Sequence, residues 1–307
     1  MKKTSNLISF VLLFGILSFP PPSNSAQKTR KDKKFYAIGF SQKVFLGFAA
    51  QDGKAAAKVL AQKVFDNQKL NYAPKIATFN NLQTLKKMIE KDELHIVALT
   101  STDYCKIKEE AELFPFSIPI FFDDPFSRFA LITLNSDKNT DLKNLRGKKI
   151  IVFAGDGDKN NYPFMWIDNI LMKEFGETSG TFFSQIKASP KVSEVILPVF
   201  FNEFDACIAT TGVFDVQADL NPQIRRKLKI IKESEEYVVA VICLTKKGKE
   251  ESSESLVNAF YELHESRQGK QLLSVFRADK IIPYKEKYMK SVEKLIRENT
   301  ELKKRFR

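Results

Sequence analysis

What most constrains this chain is a regular alternation of short apolar runs with amphipathic ones. Phe35–Phe40 reads as a strand, and Asp52–Phe65 as a helix with Val59, Leu60 and Val64 on one face. Lys75–Phe79 is a short strand. Asn80 or Asn81 can cap a helix whose Leu82, Leu85 and Ile89 fall at helical spacing. Leu94–Leu99 reads as a strand after a polar turn, and a helix begins near Ser101. Alternation of this kind predicts a parallel sheet covered by helices.

The rhythm breaks at the aromatic, proline-rich Phe114–Asp124 and at the longer apolar run Phe129–Leu134, and then restarts. Asp141–Gly147 is a helical turn stopped by glycine, and Lys148–Phe153 follows as a strand. Helix Pro163–Phe175, strand Thr181–Ile186, helix Lys191–Phe200, strand Asp205–Ala209 and a helix from Thr211 make the second series. Strand Leu228–Ile231 and the apolar run Val238–Leu244 come next, and the remainder is helical, ending in a basic helix from Tyr284. The fold class expected is α/β, with two lobes, each a mostly parallel sheet flanked by helices. Residues 35–128 and 245–307 form the first lobe and 129–244 the second, with Phe129–Leu134 and Val238–Leu244 as the two crossings. A chain that crosses twice makes a two-stranded hinge, the connectivity of a clamshell.

Ahead of this lies a targeting pattern. Lys2 and Lys3 precede an apolar run from Leu7 to Phe19, which is shorter than the roughly 20 residues of a membrane span. A triple proline follows, then Ser23 and Ser25 at signal-peptidase spacing, so residues 1–25 read as a cleavable secretory signal and 26–34 as a basic tether. The expected location is the periplasm. Oxidising surroundings permit disulfides, but three cysteines (Cys105, Cys207, Cys243) form no framework. Buried free thiols are the favoured reading, with a Cys207–Cys243 bridge as the alternative.

The 307 residues carry 49 basic and 37 acidic side chains, a net charge of +12, without a motif that reads nucleic acid. Two histidines lack a nearby nucleophile, and no nucleophile elbow, phosphate loop or zinc helix motif occurs. No catalytic residue, metal or cofactor is expected.

The stretch Asp141–Lys149 (DLKNLRGKK), its following strand and helix, and the segment Pro198–Ala206 resemble the phosphate/phosphite/phosphonate-type periplasmic solute-binding proteins. Glu93–Thr100 is similar to that family's first-lobe strand ending in the cleft. The resemblance spans nearly all of the chain after residue 26. It implies a type 2 periplasmic-binding fold and capture of a small polar solute for the membrane subunits of an ABC transporter. The alternatives are an input module docking on a membrane sensor kinase and, third, an enzyme on the same fold. Where that family places a hydroxyl-rich turn, this chain has Gly155–Tyr162, with Asp156 and Asp158. Two carboxylates oppose a dianion, which favours a neutral, zwitterionic or amine-bearing solute. The same turn imitates the start of a calcium loop, but Ile167 stands where the bidentate glutamate belongs.

Ligands in open α/β sheets lie beyond the carboxyl ends of strands. The candidate contacts are therefore Ser41 and Gln42 after the first strand, and Thr100, Ser101, Thr102 and Tyr104 after the third. In the second lobe they are Asp156, Asp158, Asn160, Asn161 and Tyr162, with Thr210 and Thr211 after a later strand. Thr100 and Thr210 can equally serve as helix caps. His95 is expected at the surface or in a turn, and His264 on a C-terminal helix.

Overall fold

Each series of alternating segments builds its own sheet. The computed structural model describes residues 34–45, 50–136, 141–154 and 161–306. The expected export signal (1–25) and residues 26–33 of the expected tether lie outside the described residues, and Lys34 already opens the first strand. β1 (Lys34–Ser41), α1 (Ala50–Asn67), β2 (Tyr72–Phe79), α2 (Leu82–Glu90), β3 (Ile96–Thr100) and α3 (Ser101–Ile107) follow the predicted order. After β4 (Leu113–Ile120) come β5 (Phe129–Leu134), β6 (Lys149–Phe153), α4 (Tyr162–Phe175), α5 (Ser179–Phe182) and β7 (Gln185–Ser189). Next are α6 (Ser193–Phe200), β8 (Ala206–Thr210), α7 (Thr211–Leu220), α8 (Pro222–Lys227) and β9 (Leu228–Glu233). The chain returns through β10 (Ala240–Thr245), α9 (Lys246–Glu251), α10 (Glu254–Tyr261), α11 (Arg267–Val275), β11 (Lys280–Pro283) and α12 (Lys290–Arg305).

The first sheet has the order β11-β4-β10-β3-β1-β2 and the second β7-β6-β8-β5-β9. β1 runs parallel to β2 and β3, and β6 parallel to β7 and β8. The strand that arrives from the other lobe enters each sheet in the opposite direction: β10 between β3 and β4, and β5 between β8 and β9. Both sheets are therefore mixed. Most of the run Val238–Leu244, expected as a crossing that closes the second lobe, is a central strand of the first sheet, and Phe129–Leu134 is a strand of the second. The passages between sheets are 121–128 and 234–239, which pair at Ser127 and Tyr237 through two N–H···O bonds of 2.9 Å.

Three local readings differ from expectation. Thr181–Ile186 splits between α5 and β7, because Thr178 and Thr181 exchange capping bonds that hold the chain helical there. β4 carries Pro115 and Pro119 inside the sheet, where proline removes ladder donors. The register against β10 shifts opposite Pro115, and this irregularity accommodates the missing donor. The terminal helix begins at Lys290, after a short 3-10 turn, and β11 precedes it.

Fully buried residues from both sheets, with α3, α4 and α12, form one apolar cluster. α10 and α11 cover the first sheet through Leu256, Phe260, Leu263 and Leu273. α12 touches both lobes. Asn299 donates to Asn169 Oδ1 of α4 at 2.7 Å, Asn169 donates to the Leu295 carbonyl at 3.2 Å, and Lys108, just beyond α3, pairs with Glu293 at 2.7 Å. All three cysteines are free thiols. Cys207 lies on β8 and Cys243 on β10, strands of different sheets, so the alternative bridge does not form. Among the described residues no helix is long and apolar enough to cross a membrane.

His95, expected at the surface or in a turn, sits in a bend before β3 and is 3 % exposed. Its Nδ1 accepts the Ala37 N–H at 3.0 Å and its ring stacks on Tyr36. Burial, then the Lys247 cation, hold the imidazole below its ordinary 6.5, with Glu251 opposing. The unfolded chain thus takes the proton more readily. Stability is present above 6.5 and is lost as pH falls through the lowered folded value. His95→Asn should flatten the stability profile below about pH 7. Equal slopes in urea titrations of both proteins would assign the effect elsewhere.

Candidate functional site

The carboxyl ends of β1 and β3 in the first sheet, and of β6 and β8 in the second, face one cleft of about 260 Å³. Strand-to-helix turns supply its polar groups. Thr100 ends β3 and caps α3, its Oγ1 accepting the Asp103 N–H at 3.2 Å and lying 3.1 Å from Thr102 Oγ1. Thr210 ends β8 and caps α7 in the same way, accepting the Val213 N–H at 3.3 Å. Cap and cleft wall coincide at both turns: Thr100, Thr102 and Thr210 line the cavity. Asn161 and Tyr162 line it too, at the start of α4. Asn161 makes no side-chain cap bond, and Pro163 occupies the first turn.

Several expected contacts have other duties. Ser41 is buried and its hydroxyl accepts the Lys43 N–H at 3.4 Å, while Gln42 is exposed and away from the cavity wall. Ser101 is buried and donates to the Val238 carbonyl, which also takes the Tyr162 hydroxyl at 2.7 Å. These two residues tie both lobes to the returning passage. Complete burial pushes the Tyr162 phenol well above its ordinary value. Tyr104 packs in the apolar core, and burial raises its phenol as well. Thr211 donates its N–H to the Arg128 carbonyl at 2.9 Å and lies off the wall. Asp156, Asp158 and Asn160 lie outside the described residues. Among the described residues no cluster of His, Cys, Asp or Glu could hold a metal ion.

The cleft also contains residues that the sequence did not single out. Lys43, in the 3-10 turn after β1, lies 3.4 Å from both carboxylate oxygens of Asp103, which is buried. Arg277 lines the same side after α11, at a φ of 57°. Among the described lining residues these two are the charged ones, and both are basic. Only the position of Lys43, two residues beyond Ser41 at a strand end, could have drawn attention to it. Nothing local marks Arg277.

Most of the wall is apolar, and seven of its lining residues are aromatic. Phe40 and Phe276 stack at 6.2 Å in the first lobe, and Phe129 stacks on Tyr162 at 6.1 Å where the lobes join. Phe121–Asp124 forms a two-residue hairpin turn with Phe122 at φ 54° and Asp123 at φ 55°. Such turns favour Asn-Gly, because left-handed backbone costs other residues about 1–2 kcal/mol each. Asp279 offsets this by accepting the Asp123 N–H at 2.9 Å while donating its own N–H to Ile120 at 2.8 Å. The turn places the Phe122 ring over the first turn of α7, where a Cβ at Gly212 would come within 2.7 Å of it. A side chain at position 212 would have to displace this ring.

The sequence profile for periplasmic substrate-binding proteins of phosphonate ABC transporters matches residues 47–288. No curated protein sequence matches the chain. Among solved structures, a binding protein component of an ABC phosphonate transporter from Pseudomonas aeruginosa superposes with a TM-score of 0.62 at 14 % identity, covering 90 % of each chain. PhnD1 from Prochlorococcus marinus, in complex with methylphosphonate, gives 0.62 at 16 % identity over 88 % of this chain and 99 % of that one. The periplasmic aliphatic sulphonate binding protein SsuA from Escherichia coli gives 0.53 at 9 % identity over 89 % of this chain and 87 % of that one. At these identities the superpositions establish a shared type 2 periplasmic-binding fold.

Proposed function

The chain belongs to the periplasmic substrate-binding proteins of phosphonate-type ABC transporters, and from that premise we propose that its cleft captures a small organic oxyanion and presents it to the transporter's membrane subunits. The observation that carries this reading is the charge of the described wall, Lys43 and Arg277 with no acidic lining residue, facing the start of α4 and α7. Helix N-termini and cations both favour an anion. The acidic turn, from which a neutral or amine-bearing solute is expected, has Asp156 and Asp158 outside the described residues. The hydroxyls of Thr100, Thr102 and Thr210 add neutral donors on both sides of the cleft. A solute touching both walls favours the closed arrangement, with the paired passages at Ser127 and Tyr237 as the pivot. Residues 1–25 act as the export signal, so that the secreted protein starts at Ala26 or Gln27.

The test uses protein released from the periplasm, its amino terminus read by intact mass. Calorimetry with methylphosphonate, methanesulfonate, glycerol and putrescine should show saturable binding of an oxyanion, and X-ray scattering should show a smaller radius of gyration at saturation. Tighter binding of glycerol or putrescine than of either oxyanion would overturn the reading. A ligand at about 100 times its Kd adds about 2.7 kcal/mol of stability, so thermal shifts provide an independent check.

A further inference from the structure

A binding protein selecting only a small oxyanion has little use for a largely apolar wall that carries seven rings. Phe40, Phe121, Phe122, Phe129, Phe153 and Phe276 line the cleft and come from both lobes. Part of this wall is braced from behind: Phe45 packs against Phe40 and Phe276, and Tyr237 against Phe129 and Tyr162. A braced aromatic wall is preorganised to take up apolar surface. The volume is also generous. A dry apolar cavity of roughly 150 Å³ holds one benzene, whereas this cleft offers about 260 Å³, enough for a ring and a head group together.

Phe122 stands apart from the other rings. It is 50 % exposed, sits at left-handed backbone in a turn pinned by Asp279, and reaches from the first lobe onto Gly212 of the second. Backbone strain of this kind persists where surrounding contacts over-determine it, notably at ligand clamps. We propose that the ligand is an oxyanion bearing an aromatic or branched hydrocarbon body, and that Phe122, seated over Gly212, is the specificity-determining residue that covers this body. The anionic head rests on the function proposed above, and the apolar body rests on the ring-lined wall and its volume.

The probes are methylphosphonate, benzylphosphonate and benzyl alcohol, titrated calorimetrically into the protein and into Phe122→Ala. Benzylphosphonate should bind the unmodified protein roughly tenfold or more tightly than methylphosphonate, because the added ring leaves water for an apolar wall. In Phe122→Ala the ratio of the two affinities should fall toward one, and Phe122→Leu, which keeps apolar bulk, should restore part of it. Thermal unfolding of both variants checks that they fold. Methylphosphonate binding as tightly as benzylphosphonate would overturn the apolar body and leave oxyanion capture standing. Benzyl alcohol binding where neither phosphonate binds would overturn oxyanion capture instead. An undiminished ratio in Phe122→Ala would overturn the role of that residue, and failure of all three probes to bind folded protein would overturn both proposals.

Discussion

Gly248→Ala should destabilise the protein by about 3 kcal/mol, the upper end of what overpacking costs. Gly248 is the third residue of α9, and its N–H donates to the Thr245 hydroxyl at 3.1 Å. A Cβ there would sit 1.9 Å from the His95 carbonyl oxygen and 2.7 Å from its carbon. The obstacle is backbone, and that backbone is fixed. His95 donates its N–H to Ala37 at 2.8 Å, its carbonyl accepts the Thr245 N–H at 3.0 Å, and Thr245 Oγ1 donates to the Leu94 carbonyl at 2.6 Å. Relief therefore requires α9 to move away and to lose its cap. For a chain of this size the thermal midpoint should drop by roughly 6–9 °C. Gly147→Ala is the control: its φ of 71° strains alanine, but nothing lies within 4 Å of the new Cβ. That variant should lose only about 1 kcal/mol. Equal midpoints for the two variants would sink the packing argument.

Lys43→Met should weaken binding of an organic oxyanion by about 100-fold, equivalent to about 2.8 kcal/mol. Two effects act in the same direction. The cation on the first-lobe wall is lost, and Asp103, 4 % exposed, keeps a carboxylate beside the cleft without its neighbour at 3.4 Å. At an effective dielectric near 20, unit charges about 4 Å apart interact by about 4 kcal/mol, so both terms are large on the scale of binding. Removing one member of a buried pair also costs stability, about 3–5 kcal/mol. The double variant Lys43→Met with Asp103→Asn separates the two: it should regain most of the stability and only part of the affinity. Affinity within twofold of the unmodified protein in Lys43→Met would place the anion away from this lysine.

Part of the cleft wall was legible because helix capping is local. Thr100 and Thr210 announce themselves as hydroxyls between an apolar strand and a helix, and strand ends in this architecture face the cleft. The same logic overreached at Ser101 and Tyr104, one and four residues further on, since helix geometry turns those side chains to the core and to Val238. His95 misled for a related reason. A lone histidine beside a polar turn reads as exposed until β1 supplies the Ala37 N–H and Tyr36 the ring that cover it.

Periodicity and caps determined, from the sequence alone, that the chain makes two α/β lobes crossed twice, and the spread of its motifs pointed to the right family. Those signals live within a few residues, where apolar spacing and hydroxyl placement dictate helix or strand. Strand direction, the entry of β4 and β10 into one sheet, and the bridging of both lobes by α12 depend on pairings between distant segments. So does the cleft wall. Phe40, Phe122, Phe129 and Phe276 are ordinary core-like phenylalanines in sequence, and only the packing of four separate elements around one void makes them a binding surface. The charge of the site follows the same rule, because Lys43 and Arg277 lie far apart along the chain and become neighbours of one cavity through long-range contacts that no local pattern encodes.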